Sequence, residues 1–468
     1  MSTATILQQT RNWVHSYFTG SSHLTLVLTI ILTAFVINYL MQYFAATGKV
    51  PAAQHLVPTS SNYPSTAYTK ARKIPFYTFL NDFMANRVEI RKRDGYGLSH
   101  WNESVTFPLT LRSLWTFTVQ VLPTYLWHSR AANRAHWRRF YDQRDDLFEC
   151  LMGRLRLSFT PRFIQSDESL AEAQTHDIGR LTEEDLALTP DDRVLNLDTQ
   201  WGTVELCWLS RLPLYIHSTS HSVELAQYAQ TLAERASADD RVQFHTQDFR
   251  DLTFHPQQFT KILALESADW IGQKHLPDFF RTCHDLLAPG GRLVIHSTTS
   301  PSVFGSLATS SVASPPGGGA ISSLFSLLLA PLSFLGGRTG ASSSASATPT
   351  GLSHYLHETF HYHLFCLTKV CPGRDTVLFT TLADYVAAIQ NAGLEIVRLD
   401  NLSQDASKHY AEWFANWDHL RARIEMRYGE DIYRQMELYL AWTSSLFRRG
   451  GLQRHLFVLQ RPFDNNDA

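Results

Sequence analysis

From Asp191 onward the chain alternates short apolar runs with helix-length segments, and few folds accept that order. "RVLNLD" (193–198) reads as a strand and "VELCWLSR" (204–211) as a helix, followed by the strand "LYIHST" (214–219) and the helix "SVELAQYAQTLAERA" (222–236). "VQFHTQDF" (242–249) and "KILALES" (261–267) read as strands. "LPDFFRTCHDLLA" (276–288) is a helix, and a Pro289-Gly290-Gly291 turn leads into the strand "RLVIHST" (292–298). Apolar strands separated by crossover helices predict a parallel sheet buried on both faces, a doubly wound α/β fold. Ligands of such sheets bind at the carboxyl ends of the strands, where strand order reverses. The turn after the first strand, Asp198 to Gly202, is therefore the expected nucleotide site.

After an interruption the pattern resumes. "TTLADYVAAIQNAGLEIVRLD" (380–400) gives a helix ended by Gly393 and then a strand, and "HLFVLQRPF" (455–463) a final, antiparallel strand. The interruption, 300–351, is a low-complexity insertion rich in Ser, Gly, Ala and Pro, with Arg338 as its single charge. Its composition fits disorder. Its apolar core "AISSLFSLLLAPLSFL" (320–335) equally fits a loop that dips into a membrane or a lid over a greasy pocket.

The other end of the chain is organised differently. No Asp, Glu, Lys or Arg occurs between Arg11 and Lys49, and "LTLVLTIILTAFVINYLMQYF" (24–44) is one bilayer thickness long as a helix. Residues 1–48 are thus expected to be a transmembrane anchor. The cluster Arg91-Lys92-Arg93 and other cations follow the span, which puts the large C-terminal part in the cytosol, with the endoplasmic reticulum as the guess for the membrane. A Pro/Ser/Thr-rich tether covers 49–75, and 76–190 reads as a mostly helical substrate region. Its apolar stretch 107–127, broken by Arg112, Gln120 and Pro123, suits a packed or interfacial helix better than a second span.

A net charge of −2 on 468 residues gives no electrostatic reason to expect nucleic acid. Cys150, Cys207, Cys283, Cys366 and Cys371 lack CxxC spacing and read as reduced thiols, so neither a disulfide frame nor a metal site is expected. Oligomeric state has no signature here.

Four signals then occur in a fixed order: "WGT" (201–203) after the first strand, "QDFRDL" (247–252), Glu266 closing "KILALE", and "HDLLAPGGRLVIHS" (284–297). Together they resemble the cyclopropane-fatty-acid synthase family of class I S-adenosylmethionine-dependent methyltransferases. "HSRAANRAHWRRFYDQRDDLFECLMG" (128–153) and "AEWFANWDHLRARIEMRYGEDIYRQMELYLAWTSSLFRRGG" (411–451) resemble segments of its fungal branch, the sphingolipid C9-methyltransferases. The resemblance implies a class I methyltransferase (Rossmann-like) sheet over 191–299 and 352–468. It also implies S-adenosylmethionine as cofactor and an unsaturated lipid of the bilayer as substrate.

Carried over position by position, the resemblance is uneven. The family's "D-x-G-C-G-W-G" turn falls on Asn196, Asp198, Thr199, Gln200, Trp201 and Gly202. A side chain at either lost glycine costs about 1–2 kcal/mol if the left-handed dihedral is kept. A carboxylate at Asp198 facing that of the methionine moiety would repel it by about 4 kcal/mol at about 4 Å and an effective dielectric near 20. Ser158, Phe159, Thr203, Thr219, Glu224, Gln247 and Asp248 complete the implied cofactor site, with Glu224 suited to ribose hydroxyls and Asp248 to the adenine amine. For proton removal the family is thought to use bicarbonate held by Cys, Glu, His and Tyr. Those places carry Thr160, Asp269, His296 and Ala406 here. Asp269 and His296 are the expected proton-handling pair. The rival reading is a non-catalytic relative, a membrane-bound partner or lipid binder, favoured by Asp198, Gln200, Trp270 and Ala406. A methyltransferase for a soluble metabolite is a third.

Overall fold

The computed structural model describes residues 56–59, 74–90, 101–121, 145–153, 155–165, 167–220, 222–246, 253–265, 267–301, 349–370 and 380–463. The chain divides into two units, one of 1–89, 103–117 and 306–361 and one of 90–102, 118–305 and 362–468. The expected anchor at 24–44, Gln247, Asp248 and nearly all of the 300–351 insertion lie outside the described residues. Among the described residues no helix is long and apolar enough to cross a membrane.

The larger unit is built on a seven-stranded sheet. Its strands are β1 (Arg193–Asn196), β2 (Tyr215–Thr219), β3 (Val242–His245), β4 (Phe259–Leu265), β5 (Leu287–Thr299), β6 (Glu395–Asn401) and β7 (Gln453–Gln460). They lie in the order β6-β7-β5-β4-β1-β2-β3. Pairs β1/β2, β1/β4, β2/β3 and β4/β5 are parallel, whereas β7 runs antiparallel to both β5 and β6. The expected doubly wound sheet with a final antiparallel strand is what forms, and strand order reverses at β1.

Period-two alternation sends neighbouring residues to opposite faces. Leu195, Ile262, Ala264, Leu293, Ile295, Phe457 and Leu459 pack against α6 (Leu276–Leu286) and α7 (Leu382–Asn391), contributing Phe279, Phe280, Cys283, Tyr385 and Ile389. Val194, Leu263, Leu265, Val294, Leu456 and Val458 face the other way, onto Ile178 of α2 (Leu170–Arg180) and Val204 and Trp208 of α3 (Thr203–Leu209). Some of the helices begin where side chains serve their free N–H groups. Ser222 accepts from Leu225 N at 3.1 Å at the start of α4 (Val223–Arg235), and Thr381 and Asp384 form a reciprocal capping box on α7.

One expectation needs correction. Pro289-Gly290-Gly291 does not separate helix from strand, because β5 begins at Leu287 and runs through it. The register slips between Phe259↔Leu287 and Lys261↔Arg292, so the motif is a bulge. Gly290, at φ +72°, has the Phe463 ring where a Cβ would lie, 2.4 Å away. Among the described residues of 76–190, helix outweighs strand. The helices Phe76–Met84, Leu111–Thr116, α1 (Asp145–Met152) and α2 are interspersed with short strands at Val88–Ile90 and Val105–Thr106. Alternating apolar residues over two or three positions are too short a signal to separate from one helical turn.

In the smaller unit, Phe76, Phe79 and Phe83 form the buried face of the first helix, with the Phe76 ring 5.4 Å from Phe107 and 5.5 Å from His361. Within 107–121 the helix Leu111–Thr116, started by a Thr110/Ser113 capping box, is followed directly by a π-helical stretch, Phe117–Val121, and Leu111 and Trp115 are exposed.

Candidate active site

The carboxyl ends of β1, β2, β4 and β5 converge where strand order reverses, and the first turn sits over β1. Asn196 Oδ1 accepts the Asp198 N–H at 3.1 Å, an Asx turn that bends the chain out of the strand. Thr199 N donates to Thr219 O on β2 at 2.9 Å, and Gly202 N to Thr199 O at 2.9 Å. Gly202 caps α3 at φ +81°, with Ala229 Cβ 2.8 Å from where its own Cβ would be. Close helix-to-helix approach therefore requires glycine there.

Gln200 is not glycine, yet it holds φ +49°, whereas Asp198 stays outside the left-handed region. The two lost glycines are thus unequal: strain falls on Gln200 alone. Its side chain is buried and offsets part of that cost, with Oε1 accepting the Ser158 N–H at 3.1 Å and Nε2 donating to Asp198 Oδ2 at 3.3 Å. A neutral amide thus lies between the Asp198 carboxylate and the 158–160 segment. Trp201 is buried, its ring 5.7 Å from that of Phe148 on α1. Thr203 Oγ1 donates to Leu155 O at 2.8 Å, which ties the same upstream segment to the start of α3. Thr219 is buried at the tip of β2, and Glu224 is exposed in the first turn of α4.

Beneath the turn is a group the sequence reading missed. Glu205 is fully buried, and its Oε1 accepts from Asn196 Nδ2 at 2.7 Å and Ser218 Oγ at 2.5 Å. Its Oε2 has no hydrogen-bond partner among the described residues. Burial, opposed by the hydrogen bonds from Ser218, its own backbone and Asn196, pushes this carboxyl up to about 7.

The expected proton-handling residues lie on the other side of the switch point. Asp269 accepts from Ser297 Oγ at 3.0 Å, Thr298 N at 2.8 Å and Arg454 Nη1 at 3.2 Å. Three donors and a buried ion pair make this carboxylate an anchor that holds the end of β5 to β7. His296, at 0% exposure, has a hydrogen-bond partner on neither ring nitrogen among the described residues. Its ring stands edge-on to Phe159 at 6.0 Å. Burial foremost, then the charges of Arg454 and Arg162, holds it well below the ordinary histidine range, so it is a neutral imidazole.

Thr160 is buried, and its Oγ1 lies 3.1 Å from Nδ1 of His409, on α8 (Ser403–His419). His409 belongs to this cluster although no motif marked it. It stands one helical turn beyond Ala406, and its partner is 249 residues away in sequence. The segment carrying Thr160 is held by Arg162, which pairs with Asp177 at 2.5 Å and Asp185 at 2.6 Å, Asp185 also meeting Arg398.

Residues 128–314 match the family described as mycolic acid cyclopropane synthetase. Sphingolipid C9-methyltransferase A of Emericella nidulans is 22% identical over 402 residues, 85% of this chain and 67% of that protein. The sphingolipid C9-methyltransferase of Komagataella phaffii is 21% identical over 426 residues, 88% of this chain and 76% of that protein. The chain spans about two thirds of the length of the first of these relatives. Among solved structures, the mycolic acid cyclopropane synthase CmaA1 of a complex with SAH and CTAB superimposes with a TM-score of 0.56 at 17% identity, covering 70% of this chain and 98% of that one. The cyclopropane synthase MmaA2 of Mycobacterium tuberculosis gives 0.54 at 17% identity, with the same coverage. The likeness establishes the class I methyltransferase fold.

Proposed function

We propose that this chain, whose residues 128–314 match the mycolic acid cyclopropane synthetase family, is an S-adenosylmethionine-dependent methyltransferase that methylates an alkene carbon of a membrane lipid, and that the lipid is a sphingolipid. The observation that carries the reading is the first turn. Gln200 keeps the left-handed conformation that a glycine would take, and its side chain is drawn aside to Ser158 and Asp198. The turn thus keeps the backbone course of a glycine-bearing nucleotide turn at a cost of about 1–2 kcal/mol, which supports a retained cofactor site.

Asn196, Thr199, Gly202 and Thr203 set the backbone of that turn, Thr219 and Glu224 flank it, and Gln200 screens Asp198 from the 158–160 segment. When bound, S-adenosylmethionine supplies an electrophilic methyl group on a sulfonium sulfur. A lipid alkene that has gained a methyl carries a cation on the neighbouring carbon and regains its double bond by losing one proton. Buried, neutral His296 suits that environment, since it adds no positive charge beside a cation. Bicarbonate as an added proton carrier belongs to the same proposal, as does anchoring by residues 24–44, which keeps catalyst and lipid in one bilayer. The cytosolic, endoplasmic-reticulum placement is part of the same reading.

Lipid mass spectrometry of cells lacking the protein tests it: a sphingolipid one methylene lighter than in the parent is expected. An unchanged sphingolipid profile would refute the substrate assignment. The non-catalytic alternative draws on the same two side chains, because Gln200 Oε1 already takes the Ser158 N–H. It requires that S-adenosylmethionine fail to bind.

A further inference from the structure

The α8 helix brings one more polar ring to the proton-handling side of the site. His409 is 1% exposed, its Nδ1 is 3.1 Å from Thr160 Oγ1, and its Nε2 has no hydrogen-bond partner among the described residues. Its ring is held at 4.2 Å, edge to face, by Trp413, one turn further along the helix, whose own buried Nε1 is likewise without a partner. A buried nitrogen without a partner costs about 1–3 kcal/mol, and two on adjacent turns leave unused hydrogen-bonding capacity beside Thr160.

The chemistry asks for a proton acceptor near Thr160, and the carboxylate expected to serve, Asp269, is taken by Ser297, Thr298 and Arg454. We propose that His409 is a further catalytic residue of this site, its Nε2 accepting the proton that the methylated lipid loses. This rests on the lipid-methyltransferase reading above. In the step, the C–H bond of the methylated carbon breaks and its electron pair becomes the new π bond, quenching the adjacent cation. The proton passes to the Nε2 lone pair, giving an imidazolium. Thr160 fixes the required tautomer by accepting Nδ1–H, which leaves the lone pair on Nε2. A weak base is enough, since a proton next to a carbocation is strongly acidic. Burial, then the Arg454 charge, holds the ring down to about 3, so it enters the step unprotonated.

The test uses the full chain in lipid nanodiscs with S-adenosylmethionine and a ceramide whose long-chain base is unsaturated at C8–C9, with and without deuterium at C9. His409→Gln is expected to lower kcat by about 100-fold or more, the usual worth of a general base. S-adenosylmethionine affinity should be unchanged by calorimetry, and deuterium should slow the variant more than the parent. Equal turnover of parent and variant, or a loss without any added isotope effect, would overturn the assignment. If His409→Gln does not fold, Thr160→Val carries the same test, since it frees the tautomer. Independently, nitrogen NMR of histidine-labelled parent should show His409 neutral with its proton on Nδ1; a proton on Nε2 overturns the proposal. A parent protein that binds S-adenosylmethionine yet never methylates the ceramide fails the lipid reading instead, and this inference with it.

Discussion

Replacing Glu205 with glutamine should remove a pH dependence from the stability of the larger unit. In the folded chain this carboxyl lies at about 7 against an ordinary 4.5, because burial outweighs its hydrogen bonds from Ser218 and Asn196. Below pH 4.5 the folded and unfolded chains both hold the proton, and the group takes nothing from stability. Between 4.5 and about 7 the unfolded chain releases it while the folded chain keeps it, so stability falls as pH rises; above 7 the loss is complete. At about 1.4 kcal/mol per pH unit, the window removes on the order of 3 kcal/mol. Glutamine keeps the oxygen that accepts from Asn196 Nδ2 and Ser218 Oγ, and the cost of its extra donor is the same at every pH. The assay is urea unfolding of parent and E205Q from pH 4.5 to 8.5, followed by tryptophan fluorescence. The variant should gain about 3 kcal/mol on the parent across the window. Parallel profiles would refute the buried-acid argument.

Further substitutions probe the same structure. Gly202→Ala should lower the melting temperature and weaken cofactor binding together, because a Cβ at φ +81° would sit 2.8 Å from Ala229 Cβ. Asp269→Asn should destabilise the fold by about 3–5 kcal/mol in chemical unfolding, since it strands the buried Arg454 charge; a stable but inactive variant would instead make Asp269 a catalytic acid or base. Deleting residues 1–48 should release the protein from membranes in flotation assays and depress turnover of bilayer substrate more than that of detergent-dispersed substrate. Full activity on vesicles after that deletion would count against the anchor and favour a soluble substrate.

The sheet was legible because each strand is a run of β-branched and aliphatic residues between turn residues, and the helices between strands fix them as parallel. The bulge at Gly290 was not, since Pro-Gly-Gly signals a turn whether or not the backbone pairing continues through it. Within the site, residues adjoining the first turn were readable from their spacing. Local pattern could not say that Gln200 would take the left-handed conformation and Asp198 would not, because that division is set by hydrogen bonds to Asn196 and Ser158. Glu205 looked like one helix residue among others, and only its burial against Asn196 and Ser218 makes it unusual. Asp269 looked available until Arg454, 185 residues away, closed on it. His409 was hidden for the same reason.

The central claim is that the turn from Asp198 to Gly202 still receives S-adenosylmethionine, with Gln200 and Asp198 binding each other rather than filling the space. Isothermal titration calorimetry of the full chain measures this directly. The account expects saturable binding below millimolar ligand, and tighter binding by the Asp198→Gly, Gln200→Gly double variant, which loses both the strain and the acid. Absence of heat at millimolar ligand in the parent, or no gain in the double variant, would contradict it.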